Sequence, residues 1–355
     1  SSEPPYNVII DHCSVAWAID ENLSTWYECH DITVQWSITS EALHDSLHYK
    51  GPHSMGFLVG DHSYYVSVHH NLFAHNNARN PLLKADTIVD VVNNVIYNWG
   101  GAATSHSNYE GTDLPIFANH VGNYYVPGVD SSEWEIRIPE DMPPGSELYV
   151  AGNIGPHRPD DSVDEWAVCQ RTGDYLVTTR HDYAPVRTWP AEEAYDLVLA
   201  HAGAVAPHRD AVDERVLLSV VDGTGEIIDS QDEVGGWPAC GGGPAPLDTD
   251  GDGIPDEWEE DHGLDPADPA DAGETSPIGY MWIEEYINSL IPVPGNEPPV
   301  VEAGDDLEIR LSEAAILLGV ATDDGVPEPP GALRTLWAAE SGPATVTIAE
   351  PTAAL

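Results

Sequence analysis

The chain has 355 residues, and its 61 Asp and Glu outnumber its 12 Lys and Arg, which gives a formal net charge of −49. Nucleic acids and membrane surfaces are also negatively charged, so this composition excludes a general binder of either. No apolar run approaches the ~20 residues that cross a membrane. With 41% hydrophobic and 21% charged residues, the sequence predicts a globular protein of about two or three domains. The excess of acids predicts a marine or halophilic source.

Six segments in the N-terminal part share one pattern, in which a short alternating β-branched run is followed by a polar residue, often Asn, and then by further apolar residues. They lie at residues 7–15, 31–38, 65–73, 88–97, 118–125 and 147–155. Aligning Cys13, Trp36, Asn71, Asn94, Asn123 and Asn153 gives steps of 23, 35, 23, 29 and 30 residues. Short strands that recur at such a period, without a helical pattern, predict a stacked β-solenoid.

The aligned Asn is predicted to lie at the bend between two strands, where it tolerates left-handed geometry and stacks its amide on the next rung. The long step from Trp36 to Asn71 predicts an insertion in that rung, and Lys50 lies in this insertion.

The pattern changes after residue 155. Residues 189–203 have an early Pro, acids in the first turn, apolar residues spaced by three and four, and a final Gly, which predicts a helix. A second helix is predicted from Asp210, a good N-cap, to Val220. We expect these helices to form a cap or arm that returns along the solenoid.

Residues 248–259 (DTDGDGIPDEWE) have the ligand order of a calcium-binding loop, with Gly at loop position 6. The predicted ligands are five carboxylates and one backbone carbonyl, contributed by Asp248, Asp250, Asp252, Ile254, Asp256 and Glu259. Random acids would rarely reproduce this order, so the loop predicts a structural Ca²⁺ site. We expect the helix-like segment 277–291 to pack beside it.

The predicted organisation follows from these patterns and from two Gly/Pro-rich linkers. It comprises a parallel β-helix (1–155), a small helical cap or arm (156–240), a linker (241–247), a calcium-loop segment with a helix (248–292), a second linker (293–299) and a truncated immunoglobulin-like β-sandwich (300–355). The fold class is therefore mainly all-β.

Three basic side chains other than His occur in the first 136 residues, namely Lys50, Arg79 and Lys84. Each could be a surface ion pair of little value. Rung stacking could instead bring them together in the shallow lateral groove of the solenoid, which suits a long polymer. A cationic groove on an acidic protein fits an anionic chain, and polyuronates are the obvious extracellular example.

Several of these segments resemble pectate lyases of polysaccharide lyase family 1. The similarity covers residues 7–237 and is strongest in the R-x-P-x-x-K/R motif at residues 79–84 (RNPLLK). It implies a secreted, right-handed parallel β-helix that cleaves polygalacturonate by calcium-assisted β-elimination. The acidic loop and the last segment resemble the calcium-loop and PKD-like modules that often follow secreted bacterial lyases. We expect the true start of the chain, with its signal peptide, to precede Ser1.

The resemblance assigns roles to individual residues. Arg79 matches the base that removes the C5 proton of the uronate, Lys50 matches the lysine that grips the substrate carboxylate, and Lys84 matches the second basic residue of the arginine motif. Asp20 and Glu21 match ligands of the catalytic calcium ion, but Ser24 stands where the family has its second acid. Asp11 and His12 match a D-H pair that we interpret as structural.

Two other classes of protein remain open. A β-helix hydrolase of the same polymer would need two carboxylates at glycosidase separation, and a non-catalytic β-helix would only bind polysaccharide. A transition-metal site at His62, His69, His70 and His75 is disfavoured, because alternating strand positions do not converge. We expect a monomer that binds polygalacturonate but neither nucleic acid nor membrane. Cys13 could pair with Cys29, and Cys169 with Cys240, or the first two could be free thiols.

Overall fold

A computed structural model describes residues 3–108, 113–183, 185–239, 243–291, 300–302 and 320–322, the last two ranges by their backbone alone. The chain divides into two compact units, Ser1–Pro244 (unit 1) and Ala245–Leu355 (unit 2). The division falls within the segment 241–247 that the sequence predicts as a linker.

Unit 1 winds through successive rungs of short strands. Rung 1 contains β1 (Tyr6–Asp11), β2 (Ser14–Ala16) and β3 (Glu21–Thr25), and rung 2 contains β4 (His30–Gln35), β5 (Ile38–Ser40) and β6 (Met55–Val59). Rung 3 contains β7 (Ser63–His69), β8 (Leu72–Ala74) and β9 (Leu82–Lys84), and rung 4 contains β10 (Thr87–Val92), β11 (Val95–Tyr97) and β12 (Thr104–Ser107). Rung 5 contains β13 (Ile116–Val121), β14 (Tyr124–Val126) and β15 (Ile136–Arg137), after which come β16 (Glu147–Ala151) and β17 (Leu176–Val177).

Corresponding strands of successive rungs pair in parallel and form three sheets. Sheet A has the order β1-β4-β7-β10-β13-β16-β17, sheet B the order β2-β5-β8-β11-β14, and sheet C the order β3-β6-β9-β12-β15. Unit 1 is thus a right-handed parallel β-helix, which confirms this part of the predicted fold class. The predicted insertion in rung 2 is also present, because residues 41–54 separate β5 from β6.

An asparagine ladder runs along the solenoid at the bend between sheets A and B. The side-chain amides of Asn71, Asn94 and Asn123 each donate to the Oδ1 atom of the next ladder residue, at 3.0, 3.0 and 2.8 Å, and Asn153 is the last acceptor. Stacking of amides on successive rungs is therefore confirmed.

Two details of the predicted ladder are wrong. The backbone N–H of Ser37 donates to Asn71 Oδ1 at 2.9 Å, and Ser37 Oγ accepts from Cys13 N at 3.1 Å, so Ser37 and not Trp36 occupies the ladder position. The left-handed residue is the one before the ladder residue, for example Trp36 (φ 46°) and His70 (φ 55°). The chain changes direction at the left-handed residue, and the ladder residue follows it. The ladder side chain can therefore point into the bend.

Two hydrophobic clusters hold unit 1 together. One fills the solenoid interior with side chains such as Val34, Phe57, Val89 and Leu148. The other lies between the outer face of sheet B and two helices, α1 (Ala191–His201) and α2 (Ala211–Asp222). These helices are the two that the sequence predicts.

The helical segment runs back along the solenoid and contacts three of its rungs. Tyr195 packs against Tyr124 of rung 5, Gly203 N donates to Trp36 O of rung 2 at 2.8 Å, and Asp213 accepts from Ser14 of rung 1 at 2.5 Å.

Cys13, Cys29 and Cys169 are free thiols. A bond between Cys13 and Cys29 is not formed, because Cys29 is buried near Ser63 Oγ (3.4 Å) whereas Cys13 is exposed. Cys240 lies outside the described residues, so its predicted pairing with Cys169 is not addressed.

Unit 2 contains α3 (Asp256–His262) and α4 (Trp282–Ser289), and two strands, β18 (Val300–Glu302) and β19 (Val320–Thr322), that pair antiparallel. The second linker and nearly all of the predicted β-sandwich lie outside the described residues. Among the described helices, none combines the length and the apolar character required to span a bilayer.

Candidate active site

The outward face of sheet C carries a cavity of 410 Å³. Its lining includes the three cations and the two acids that the sequence analysis assigns to the site. The lining residues are Asp20, Glu21, Trp26, Lys50, Leu58, Arg79, Leu82, Lys84 and Ser107. Two of these residues, Leu58 and Leu82, come from the outward positions of the pleat, since Ser24, Leu58, Leu82, Ser105 and Arg137 are register partners across the five strands. Stacked rungs therefore bring together residues that are far apart in sequence.

The loop between β8 and β9 holds Arg79 in a fixed backbone conformation. Arg79 has a left-handed backbone (φ 62°), and its carbonyl accepts a hydrogen bond from Phe57 N at 2.6 Å. The side chain of Asn80 is buried and accepts from Asn76 Nδ2 at 3.1 Å. Gly56 allows this close approach, because a Cβ atom there would lie 2.6 Å from both Arg79 O and Asn80 Oδ1.

The Arg79 guanidinium lies against the two acids of rung 1. Its Nη1 atom contacts Glu21 Oε1 and lies 3.8 Å from Asp20 Oδ1. These carboxylates neutralise the guanidinium and hold it at the cavity wall. The arginine and both candidate calcium ligands thus form one charged cluster.

The two lysines differ sharply in their surroundings. Lys84 is buried, forms a 2.5 Å ion pair with Asp61 Oδ2, and lies 4.2 Å from the centroid of the Trp26 ring. Lys50 is exposed in the rung 2 insertion, with its Nζ 5.5 Å from the Tyr49 ring. Lys50 is therefore the more accessible of the two to a ligand.

A second cavity of 520 Å³ continues along the same sheet face and shares Arg79, Leu82 and Ser107 with the first. Arg137 and Arg171 also line it, and sequence reasoning missed both. Because adjacent strands are ~4.8 Å apart, five strands give a groove of roughly 19 Å. An extended polymer can lie along such a groove.

Two histidines of the rung 2 insertion, which the sequence analysis also missed, face Asp20. Asp20 Oδ2 lies 3.3 Å from His48 Nε2, and Asp20 Oδ1 lies 3.1 Å from His53 Nε2. Calcium takes six to eight oxygen ligands. Here Asp20 faces imidazole nitrogens and Glu21 faces a guanidinium, so this pair does not fit a calcium ion. We therefore derive no catalytic step through calcium at this position.

The acidic loop of unit 2 does fit a calcium ion. Buried carboxylate oxygens without a hydrogen-bond partner among the described residues converge there, from Asp250, Asp252, Glu259 and Asp271. Burial, followed by the surrounding acids, raises the pKa of Glu259 to about 7. Such a set of oxygens is what Ca²⁺ binds.

The group of facing carboxylates differs from the predicted ligands in two residues. Asp271, which sequence reasoning missed, groups with Asp252 and Glu259. Asp256, the predicted ligand at loop position 9, instead accepts from Thr249 N at 2.7 Å and from Thr249 Oγ1 at 2.6 Å. Asp248 accepts from Gly251 N and Gly253 N and also groups with Asp250 and Asp252.

The four histidines considered as a metal site have separate surroundings. His62 contacts Asp86, His69 contacts His70, and His75 contacts Ser219. None of them belongs to a described cluster of three possible metal ligands. In the D-H pair, His12 Nδ1 lies 2.7 Å from Asp11 Oδ1, and the His12 ring stacks on Trp36.

No protein-family model matches the chain. A probable pectate lyase C of Aspergillus oryzae is 32% identical over 293 residues, which cover 81% of this chain and 66% of the relative. The probable pectate lyase C of Aspergillus terreus is 34% identical over 292 residues, with coverage of 80% and 66%. That of Emericella nidulans is 34% identical over 294 residues, with coverage of 81% and 65%. The chain thus spans 65–66% of the length of these curated relatives.

Solved structures are more distant. A pectate lyase from Bacillus sp. N165 in complex with trigalacturonate has a TM-score of 0.40 and 18% identity, covering 56% of this chain and 59% of its own. A pectate lyase studied for its anti β-elimination mechanism has a TM-score of 0.40 and 16% identity, covering 56% and 51%. The chain is therefore similar to curated pectate lyases over 80–81% of its own length.

Proposed function

We propose that this protein is a secreted polysaccharide lyase that cleaves polygalacturonate by β-elimination. The observation that supports the proposal is the cavity lined by Lys50, Arg79 and Lys84 on a chain of net charge −49. Cations gathered in a groove of an otherwise acidic surface attract an anionic polymer. The names of the curated relatives add support for pectate as that polymer.

The proposed chemistry begins at C5 of a uronate residue. A neutral Arg79 accepts the C5 proton, the electron pair left behind forms the C4=C5 double bond, and the C4–O4 bond breaks. The departing O4 oxygen takes a proton from solvent. One polymer chain thus becomes two, and the new non-reducing end is an unsaturated uronate.

Cationic side chains lower the barrier to the first step. The C5 hydrogen is barely acidic while the neighbouring carboxylate keeps its full charge, and the negative charge grows as the proton leaves. A lysine ammonium at that carboxylate stabilises the developing charge more than the ground state. Lys50 is proposed for this role because it is exposed at the cavity, whereas Lys84 is already paired with Asp61.

Arg79 needs help to act as a base, because a guanidinium is almost always protonated. Glu21 and Asp20 favour its charged form in the ligand-free site. The neighbouring cation Lys50 would weaken that preference, because a like charge nearby disfavours the charged form of the guanidinium. We therefore expect turnover to rise toward alkaline pH.

The test is a product assay on polygalacturonate. Elimination yields an unsaturated uronate that absorbs in the ultraviolet, hydrolysis yields reducing ends alone, and a polysaccharide-binding protein yields neither. We expect ultraviolet-absorbing product from the wild type and almost none from Arg79→Ala or Arg79→Lys, since lysine lacks the planar guanidine. Lys50→Ala should lower kcat and raise KM. Near-normal turnover by folded Arg79→Lys, or reducing ends without ultraviolet absorption, would refute the proposal.

We further propose that unit 2 binds one structural Ca²⁺ ion through Asp250, Asp252, Glu259 and Asp271, with the Ile254 carbonyl and Asp248 nearby. The support is the set of buried carboxylate oxygens that have no hydrogen-bond partner among the described residues. Four carboxylates repel one another in the absence of a cation, so the ion would hold the loop and α3 together.

A further inference from the structure

We propose that Asp20, His48 and His53 form a binding site for a divalent transition-metal ion of the zinc class. The ligand atoms of the three residues all lie within 4.8 Å of one another. The side chains of His48 and His53 are only 6% and 10% exposed. The site belongs to the rung 2 insertion and to the turn before β3 of rung 1, and its existence does not depend on the proposed lyase activity.

The first argument is the unsatisfied hydrogen bonding. His53 Nε2 and Asp20 Oδ1 are both buried and have no hydrogen-bond partner among the described residues, although the two atoms lie 3.1 Å apart. Leaving both groups unpaired in a buried position is unfavourable. A cation between them would satisfy the carboxylate oxygen and the imidazole lone pair together.

The second argument is the separation of the donor atoms. Zinc binds imidazole nitrogen and carboxylate oxygen at ~2.0–2.2 Å, usually with tetrahedral angles. Two such ligands on one ion lie about 3.3–3.5 Å apart. The observed separations of 3.3 Å for His48 and 3.1 Å for His53 from Asp20 are close to that value.

The third argument is the packing of the two rings. The His48 and His53 rings stack with centroids 4.0 Å apart and planes 25° apart. This stacking holds the Nε2 atoms of both rings against the one carboxylate of Asp20. Binding of a metal ion to His48 Nε2 would place the ring proton on Nδ1. His48 Nδ1 could then no longer accept the long 3.4 Å hydrogen bond from Lys50 N.

The donor set decides the class of metal. Two imidazole nitrogens with one carboxylate suit zinc, cobalt or nickel, whereas calcium and magnesium prefer oxygen. Three protein ligands leave a coordination position open. Asp20 also lines the 410 Å³ cavity, so this position would be available to water or to a carboxylate of a bound polymer.

The experiment measures cobalt binding by the full chain, after chelation and with excess Ca²⁺ present to occupy oxygen sites. We expect one equivalent of Co²⁺ with the visible absorption of a nitrogen-containing, low-coordinate site, and displacement of Co²⁺ by Zn²⁺ but not by Ca²⁺. Asp20→Asn, His48→Gln and His53→Gln should each weaken Co²⁺ binding about tenfold or more.

The matched control is His62→Gln. His62 also contacts a carboxylate, Asp86, at 2.6 Å, but it belongs to none of the described clusters of three possible ligands. It should bind Co²⁺ like the wild type. The proposal is overturned if wild-type protein gives no such spectrum, or if a folded His48→Gln/His53→Gln variant binds Co²⁺ as tightly as the wild type. The Co²⁺ spectrum of the wild type tests the proposal even if a variant does not fold. Neither measurement depends on lyase turnover.

Discussion

The buried ion pair between Lys84 and Asp61 is the least expected feature at the residue scale. A lysine in the arginine motif would ordinarily be considered a substrate ligand alone. Here its ammonium is 5% exposed, its partner Asp61 is 16% exposed, and the pair is separated by 2.5 Å. Removing one partner of such a pair leaves the other charge buried and uncompensated.

We predict that Lys84→Met lowers the free energy of unfolding by about 3–5 kcal/mol. The double variant Lys84→Met/Asp61→Leu should recover much of that loss, because no isolated charge remains. Lys50→Met is the control, and as an exposed substitution it should change stability by about 0.5 kcal/mol or less. Urea unfolding of the four proteins provides the measurement. Equal losses for Lys84→Met and Lys50→Met would contradict the interpretation of Lys84 as a structural cation.

The close contact between β6 and the Arg79 loop is the corresponding feature at the level of elements. Gly56 of β6 lies directly against the backbone that carries Arg79 and Asn80. Neither neighbouring group can move away easily. The Arg79 carbonyl is held by a hydrogen bond from Phe57 N, and the Asn80 side chain is buried. The position of Arg79 therefore depends on Gly56, a residue that has no side chain and takes no direct part in the reaction.

We predict that Gly56→Ala lowers turnover by about a hundredfold, because a shift of ~1 Å in a catalytic group can cost that much. Its KM should change less, since Lys50 is unaffected. Gly101→Ala, whose new Cβ would meet nothing closer than 3.7 Å, is the control and should retain activity. Steady-state kinetics on polygalacturonate give the comparison. Wild-type turnover by Gly56→Ala would show that the loop adjusts freely.

The sequence predicts the rungs and the ladder well, because the period of the apolar pattern and the bend amides are local features. It misses the ladder position of rung 2 by one residue, since Trp36 and Ser37 are both plausible at a bend and only strand pairing chooses between them. It also misses His48 and His53. They lie in an insertion without periodicity, and their approach to Asp20 depends on the path of the loop. Likewise, Asp271 is 12 residues from Glu259, beyond the span of the loop motif.

At the scale of the whole molecule, the acids of unit 2 define a separate stabilising element. We predict that Ca²⁺ raises the melting temperature of unit 2, and that Asp271→Asn removes most of this increase. Asp256→Asn should retain it, because both carboxylate oxygens of Asp256 already accept hydrogen bonds from Thr249. Differential scanning calorimetry with and without a chelator is the measurement. Lyase activity per folded molecule should be the same in both variants, and a large calcium response in Asp271→Asn would contradict this ligand set.

Buried histidines make unit 1 sensitive to acid. Burial lowers the pKa values of His75 and His106 to about 4, against about 6.5 in an unfolded chain. Between pH 6.5 and 4 the unfolded chain therefore binds protons that the folded state does not, so stability falls as the pH falls through this window.

We predict that unit 1 has a lower melting temperature at pH 5 than at pH 7.5. Thermal unfolding monitored by tryptophan fluorescence is the measurement. His106→Gln should reduce the pH dependence, because it removes one of these groups, while His208→Gln at an exposed position should leave it unchanged. Identical slopes for His106→Gln and the wild type would contradict the assignment of the effect to buried histidines.

The position of the site along the solenoid has a consequence for its charge balance. Asp20 and Glu21 belong to rung 1, Arg79 belongs to rung 3, and the strands of rung 2 lie between these two rungs. In stacked repeats each rung is stabilised by its neighbours. The strand β4 of rung 2 pairs with both β1 and β7 in sheet A. A substitution in β4, on a different sheet from the cavity, can therefore change the charge balance around Arg79 without touching it.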